Sequence, residues 1–323
     1  VLKNNKRKTL VWGGFAALTI VALSLSTVRA EARSAFPHGI FETNVPIGIE
    51  RTLMLPAPAI AFAVTWDKES GTPSGLVRVR EGTRWGPWEE LRLDEDALGG
   101  PSRRAGSRLR FGEDITALQY RLDGHGAQAV HLAAFDGRDH RPLGIRALET
   151  AQKVARTVVG IAMAQSAPAV IGRTDWGADE SLRKKSDGTT VWPEEYAPVS
   201  TFIVHHTAGS DGTPDFTTAK SVVRGIYQYH AVSLGWGDIG YNYLIDTVGN
   251  VFEGRFGGDG AVGGHAYREA ACSFKGAEAS FNSGSVGIAF LGNYESSAPT
   301  AAANTALSNL IGAKAHDLGL DPS

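Results

Sequence analysis

The hydrophobic pattern changes period partway along the chain, and that change constrains the fold more than any other feature. From about Thr52 to Phe135 apolar residues recur at every second position. Ile60, Phe62, Val64 and Trp66 alternate with small residues, and Leu118, Tyr120 and Leu122 alternate with Gln119 and Arg121. Val77 and Val79 alternate with Arg78 and Arg80, while Leu109 and Phe111 flank Arg110. Clusters such as Gly71-Thr72-Pro73 and Gly99-Gly100-Pro101 separate these runs. Short strands punctuated in this way predict an all-β, sandwich-like domain over residues 36–147. Within it, Trp85-Gly86-Pro87-Trp88 reads either as an aromatic platform for a sugar or as a strand-end pair closing the core.

Residues 148–170 are rich in Ala, Val and Thr and end in Ala167-Pro168-Ala169, which predicts a short helix and a linker. Beyond Ile171 the texture becomes mixed. Thr201-Phe202-Ile203-Val204 reads as a buried strand that runs into His205-His206-Thr207. Val222, Val223, Ile226 and Tyr227 form one face of a helix over 217–231. Tyr241 to Ile245 and Val251 to Glu253 read as strands joined by the turn Thr247-Val248-Gly249-Asn250. Ser285 to Leu291 alternates Val286, Ile288 and Phe290. A last helix carries Leu307, Leu310 and Ile311 and stops at Gly319, before Pro322. Residues 171–323 are therefore expected to form an α/β domain, a mixed sheet flanked by helices.

A chain of 323 residues suits two domains. Its 32 Lys and Arg against 34 Asp and Glu give a net charge of −2, which argues against a general polyanion binder and so against nucleic acid as a partner. The single cysteine, Cys272, excludes an intrachain disulfide framework and a Cys-rich zinc knuckle. Lys3, Lys6, Arg7 and Lys8 precede an uncharged stretch from Thr9 to Val28, and Val28-Arg29-Ala30 follows with small residues. Residues 1–30 thus read as an export signal whose removal leaves no stable membrane span; the alternative is a retained anchor. The protein is expected to work outside the cytoplasm, extracellular or associated with the cell wall.

Nine histidines are present. His205 follows a hydrophobic strand that would hold its ring rigidly, as a metal ligand requires; a hydrogen-bonded turn histidine is the plainer reading. His206, its neighbour, would point to the opposite side of a continuing strand. His230 ends a helix, where the dipole favours a protonated ring. His265 sits in Gly263-Gly264-His265-Ala266, where small neighbours permit close approach. Tyr241 at a strand start is either core or a donor to a developing oxyanion. Arg255 at a hairpin end reads as a ligand for a carboxylate or as a surface ion pair.

Ordered motifs narrow these alternatives. Arg173-Thr174-Asp175-Trp176-Gly177-Ala178, Ile203-Val204-His205-His206-Thr207-Ala208, Tyr229-His230 and Leu234-Gly235-Trp236 are followed by Asp238-Ile239-Gly240-Tyr241-Asn242-Tyr243-Leu244-Ile245 and Glu253-Gly254-Arg255. Gly264-His265-Ala266 and Ser285-Val286-Gly287-Ile288-Ala289-Phe290-Leu291-Gly292-Asn293-Tyr294 complete the run. Residues 171–320 thereby resemble the peptidoglycan recognition proteins and type-2 N-acetylmuramoyl-L-alanine amidases. The resemblance implies a zinc hydrolase that cuts the amide between N-acetylmuramic acid and L-alanine of the stem peptide. It implies that His205 binds Zn2+, that Tyr241 assists catalysis, and that His230 and His265 line a groove for the muramyl-peptide, with peptidoglycan as the partner. The family's second zinc histidine and its zinc cysteine lie in a Gly-His-Arg-Asp and Thr-x-Cys-Pro-Gly segment after the last helix, which these residues do not contain. Cys272 and His316 do not match those positions, and a piece of a longer protein is the expectation. Two further readings stand beside the amidase: a non-catalytic muramyl-peptide binding module, and an adhesion protein whose β-rich half does the binding.

Overall fold

The computed structural model describes residues 36–95, 97, 102–148, 169–209, 216–266 and 281–320. The period-two region forms one antiparallel sheet. Its strands are β1 (Ile40–Asn44), β2 (Glu50–Asp67), β3 (Ser74–Glu81), β4 (Arg84–Trp85), β5 (Glu89–Glu90), β6 (Arg104–Gly106), β7 (Arg110–Asp123) and β8 (His131–Phe135). The order is β1-β8-β2-β7-β3-β4, with β5 on β3 and β6 on β2. A second packed sheet, which a sandwich requires, is not found here among the described residues. The physical reason is β2, whose 18 residues pair with β6, β7 and β8 in turn. Its register shifts between Met54 and Ala59 and again between Ala59 and Ala61, and at the second shift the two faces of the strand exchange. Leu53, Leu55 and Ala59 pack on the sheet's own core before that exchange, and Phe62, Val64 and Trp66 do so after it. Ala61 and Ala63 then look the other way.

The second region carries β9 (Val170–Ile171), α1 (Arg173–Trp176), β10 (Thr201–His206), α2 (Phe216–Gln228), β11 (Tyr243–Ile245), β12 (Val251–Glu253), β13 (Ser285–Phe290) and α3 (Ala301–Leu318). Its sheet order is β10-β13-β11-β12-β9. β10, β13 and β11 are parallel, β12 runs antiparallel to β11, and β9 is parallel to β12. This is the expected mixed sheet with helices. Asp246 builds the β11–β12 turn by accepting the amide hydrogens of Val248 (3.1 Å) and Asn250 (2.8 Å). Thr300 caps α3 by accepting the Ala303 amide at 3.1 Å, and Gly319, at φ 67°, ends it.

The described residues pack as one unit, and α2 is what joins the two sheets. Its Val223, Ile226 and Tyr227 are buried in a core shared with Ala61, Ala63, Ala133 and Phe135 of the β-rich sheet and Leu244, Phe252 and Ala289 of the mixed sheet. Val223, Ile226, Phe135, Leu244 and Phe252 each contribute roughly 1.5–3 kcal/mol by leaving water, and the alanines less. The opposite face of the mixed sheet packs Ile245, Val286 and Ile288 against Ala303, Ala306 and Leu310 of α3. The expected export signal, most of the expected linker and Cys272 lie outside the described residues. Among the described residues no helix is long and apolar enough to cross a membrane.

Candidate functional site

β10 is an edge strand, and its last two residues open onto a cavity of about 530 Å³. His205, His206, His230 and Tyr241 all line it. The rings of His205 and Tyr241 lie 5.8 Å apart between centroids, as do those of His230 and Tyr241. His265 stands behind this wall, fully buried, with Nδ1 3.1 Å from Nε2 of His205. The resemblance placed His265 on the groove; here it supports a residue of the cavity wall. His206 is held differently, its Nδ1 accepting the Tyr294 amide hydrogen at 2.8 Å.

Burial sets the charge of these rings. It pushes His205 down to about 4, with His206 adding to the shift. It pushes His265 down to about 3, with His205 adding to it, and His230 down to about 3. All three are neutral imidazoles at neutral pH. His230 is therefore not the protonated helix-end residue that its position suggests. It lies in a π-helical turn, Tyr229–Ser233, that continues α2, and its Nδ1 accepts the Gly240 amide hydrogen at 3.1 Å. The ring also packs on Trp236 at 4.7 Å.

Hydrogen-bond bookkeeping assigns the tautomers. The Ser285 hydroxyl donates to the Phe281 carbonyl at 2.5 Å, so its oxygen is left to accept from Nε2 of His265 at 3.4 Å. His265 Nδ1 is then an acceptor, and His205 Nε2 is the donor to it. Nδ1 of His205 keeps its lone pair and has no hydrogen-bond partner among the described residues. Gly287 permits this arrangement: a Cβ there would sit 2.3 Å from the His265 ring. Asn282 fixes the backbone by accepting the amide hydrogens of His265 and Ala266, both at 2.8 Å.

Tyr241 is placed by a buried ionic network. Asp238 is 1% exposed and meets Arg173 at 3.0 Å, Arg183 at 3.2 Å and Arg255 at 3.2 Å. It also accepts the Ile239 and Phe256 amide hydrogens. Glu180 and Glu194 supply the remaining negative charge, so three guanidiniums face three carboxylates. Arg255 is fully buried here, donating to the carbonyls of Val262, Trp192 and Pro193 as well as to Asp238. It does not line the cavity, and it is not a surface ion pair. Its place is behind Tyr241, and the hairpin end turns inward because Asp238 draws it there.

The other wall comes from the β-rich region, which announced no function in the sequence. Asp94, Glu95, Arg108, Leu109 and Phe111 line the cavity opposite the histidines. Tyr229 ties the walls together by donating to the Ser107 carbonyl (2.7 Å) and meeting Asp94 Oδ2 (3.3 Å). Arg108 and Arg92 both pair with Glu295, the latter at 2.9 Å. No pattern in the sequence marks these residues, because the contacts join positions far apart in the chain.

Among the described residues no group of three or more His, Cys, Asp or Glu side chains could hold a metal ion. His205, neutral and with a free Nδ1 lone pair, suits one ligand position; the described residues do not complete a set. His316 lies on α3 with its side chain 90% exposed, beside Asp317.

Comparison with known proteins agrees with the motif order. The sequence profile of the N-acetylmuramoyl-L-alanine amidase family (Amidase_2) matches residues 195–323. Peptidoglycan recognition protein 1 of Bos taurus is 32% identical over 159 residues, which cover 49% of this chain and 72% of that protein. Peptidoglycan-recognition protein SC2 of Drosophila melanogaster is 36% identical over 146 residues, 44% of this chain and 65% of that protein. This chain thus covers slightly less than two thirds of the fly protein's length. The solved structure of bumblebee PGRP-SA matches at 30% identity with a TM-score of 0.38, over 47% of this chain and 78% of that one.

Proposed function

This chain belongs to the N-acetylmuramoyl-L-alanine amidase family that includes the peptidoglycan recognition proteins, and from that premise we propose that it is an exported amidase. Its reaction is hydrolysis of the bond between N-acetylmuramic acid and L-alanine of the stem peptide. The observation that supports this most is the convergence of His205, His230 and Tyr241 on one cavity. The water oxygen adds to the amide carbonyl carbon, the C–N bond breaks, and the L-alanine nitrogen leaves carrying the proton. Tyr241 donates a hydrogen bond to the carbonyl oxygen as it becomes an oxyanion. His230 fixes the backbone of Gly240 and so the placement of Tyr241. Zinc, which catalytic members of the family use, supplies a Lewis acid and a water of pKa near 7 when bound. His205 is the residue assigned to hold it.

The test is release of a free L-alanine amine from an N-acetylmuramoyl-peptide by the complete protein. His205→Ala is expected to abolish release, and Tyr241→Phe to lower it roughly 10²–10³-fold. Release by His205→Ala at the wild-type rate contradicts the assignment. A second reading is a muramyl-peptide binding module, the role that the names of the peptidoglycan recognition proteins carry. In that case the same assay shows binding without release.

A further inference from the structure

The Trp85-Gly86-Pro87-Trp88 segment carries a second site. β3 buries Val77 and Val79 in the core of the β-rich sheet, so Arg78 and Arg80 stand on the opposite, outer face. The register places Trp85 directly beside Arg80, Gln119 and then Thr52 beside Arg78, and Arg121 and then Glu50 beside Leu76. Neither tryptophan joins a hydrophobic core among the described residues, and arginines stand over both rings. The Arg78 guanidinium lies 5.2 Å from Trp85 and 4.7 Å from Trp88, with Arg80 5.8 Å from Trp85 and Arg121 5.9 Å from Trp88. The rings are spent on ordering arginines.

Those arginines are held but not neutralised. Arg78 Nε donates to Gln119 Oε1 at 2.7 Å, and Arg80 Nε donates to Thr116 Oγ1 at 3.1 Å. Only Arg121 has a carboxylate, Glu50 at 2.6 Å. Among the described residues the terminal Nη groups of Arg78 and Arg80 have no protein partner. Two partly exposed guanidinium groups, on residues whose Cα atoms lie about 7 Å apart along one strand and each oriented by one Nε hydrogen bond and by ring contacts, form a receptor for anionic oxygens. The near-neutral charge of the whole chain does not oppose this, because the site reads local unpaired groups.

We infer that this outer face binds phosphate or carboxylate groups on a cell-wall glycan polymer, separately from the histidine cavity. Nucleic acid fits less well, since bases would need the ring faces that the arginines cover. The choice of a wall polymer rests on the family reading; the receptor for anionic oxygens does not.

The experiment uses the full chain and purified cell-wall sacculi, before and after phosphodiester polymers are stripped with hydrofluoric acid. The wild type is expected to bind intact sacculi, and the Arg78→Gln/Arg80→Gln variant to bind them about tenfold more weakly. Binding of a soluble muramyl-peptide to that variant should be unchanged, which separates failure of this site from failure of the cavity. Loss on stripping identifies phosphate as the source; retention on stripping with loss after carboxylate amidation identifies carboxylate. If the double variant does not fold, Arg78→Lys/Arg80→Lys keeps the charge without the fork and should bind at an intermediate level. Wild-type binding by either folded variant overturns the inference. So does a defect seen only with duplex DNA or anionic vesicles.

Discussion

The two walls of the cavity are built on opposite principles. The mixed-sheet wall presents neutral imidazoles and a phenol, each fixed from behind by buried groups: His265 and Gly287 behind His205, and Asp238 with its three arginines behind Tyr241. The β-rich wall presents charged side chains tied by solvent-touched pairs, such as Arg108 at 29% exposure with Glu295 at 42%. Chemistry needs groups that do not move and hold one protonation state, which burial provides. Selection among ligands works through exposed charges that water screens. On the proposed amidase reading, reaction falls to one wall and recognition to the other.

The largest effect that would break this comparison is at Asp238. Asp238→Ala leaves three buried guanidiniums without their shared carboxylate and should cost about 3–5 kcal/mol, measured by urea unfolding. A loss below about 1 kcal/mol, as expected of a surface pair, would show that the network does not hold the wall. Gly287→Ala comes next. The added methyl meets the His265 ring and should cost about 1–3 kcal/mol, with a larger proportional loss of muramyl-peptide binding than the same cost placed in α3.

Acid sharpens the comparison further. His205, His230 and His265 have folded-state values of about 4, 3 and 3, depressed by burial from an unfolded value of 6.5. The unfolded chain therefore binds protons first. The rings' contribution is present in full above pH 6.5 and is lost as pH falls from 6.5 towards about 3. Thermal unfolding midpoints should decline across that window, and the decline should shrink in His230→Gln. The smallest stability effect is on the other wall. Arg108→Ala should change stability by less than about 1 kcal/mol while altering the salt dependence of ligand binding, read by titration at two ionic strengths.

Local signals in the sequence identified the mixed sheet, the α2 face and the capped α3, because alternation, helical spacing and caps act over a few residues. His205, His230 and Tyr241 were legible only through motif order, since spacing alone left a core or turn reading open for each. The inward turn of Arg255 was not legible: its partner Asp238 is itself buried, and burial is a property of the assembled fold. The same holds for the β-rich wall. Asp94 and Arg108 belong to a region without a motif, and their role depends on α2 bringing the two sheets together. The single sheet in place of a sandwich follows from bulges in β2, which a hydrophobic pattern rich in small residues does not announce.

The most direct test of the central claim is a titration of the histidine side chains by NMR, with and without a soluble muramyl-peptide. His205, His230 and His265 are expected to stay neutral down to below about pH 5. Their signals, with that of Tyr241, are expected to move together when the ligand is added. Ligand-induced shifts confined to other histidines, with these rings unmoved, would place the muramyl-peptide elsewhere and contradict the claim.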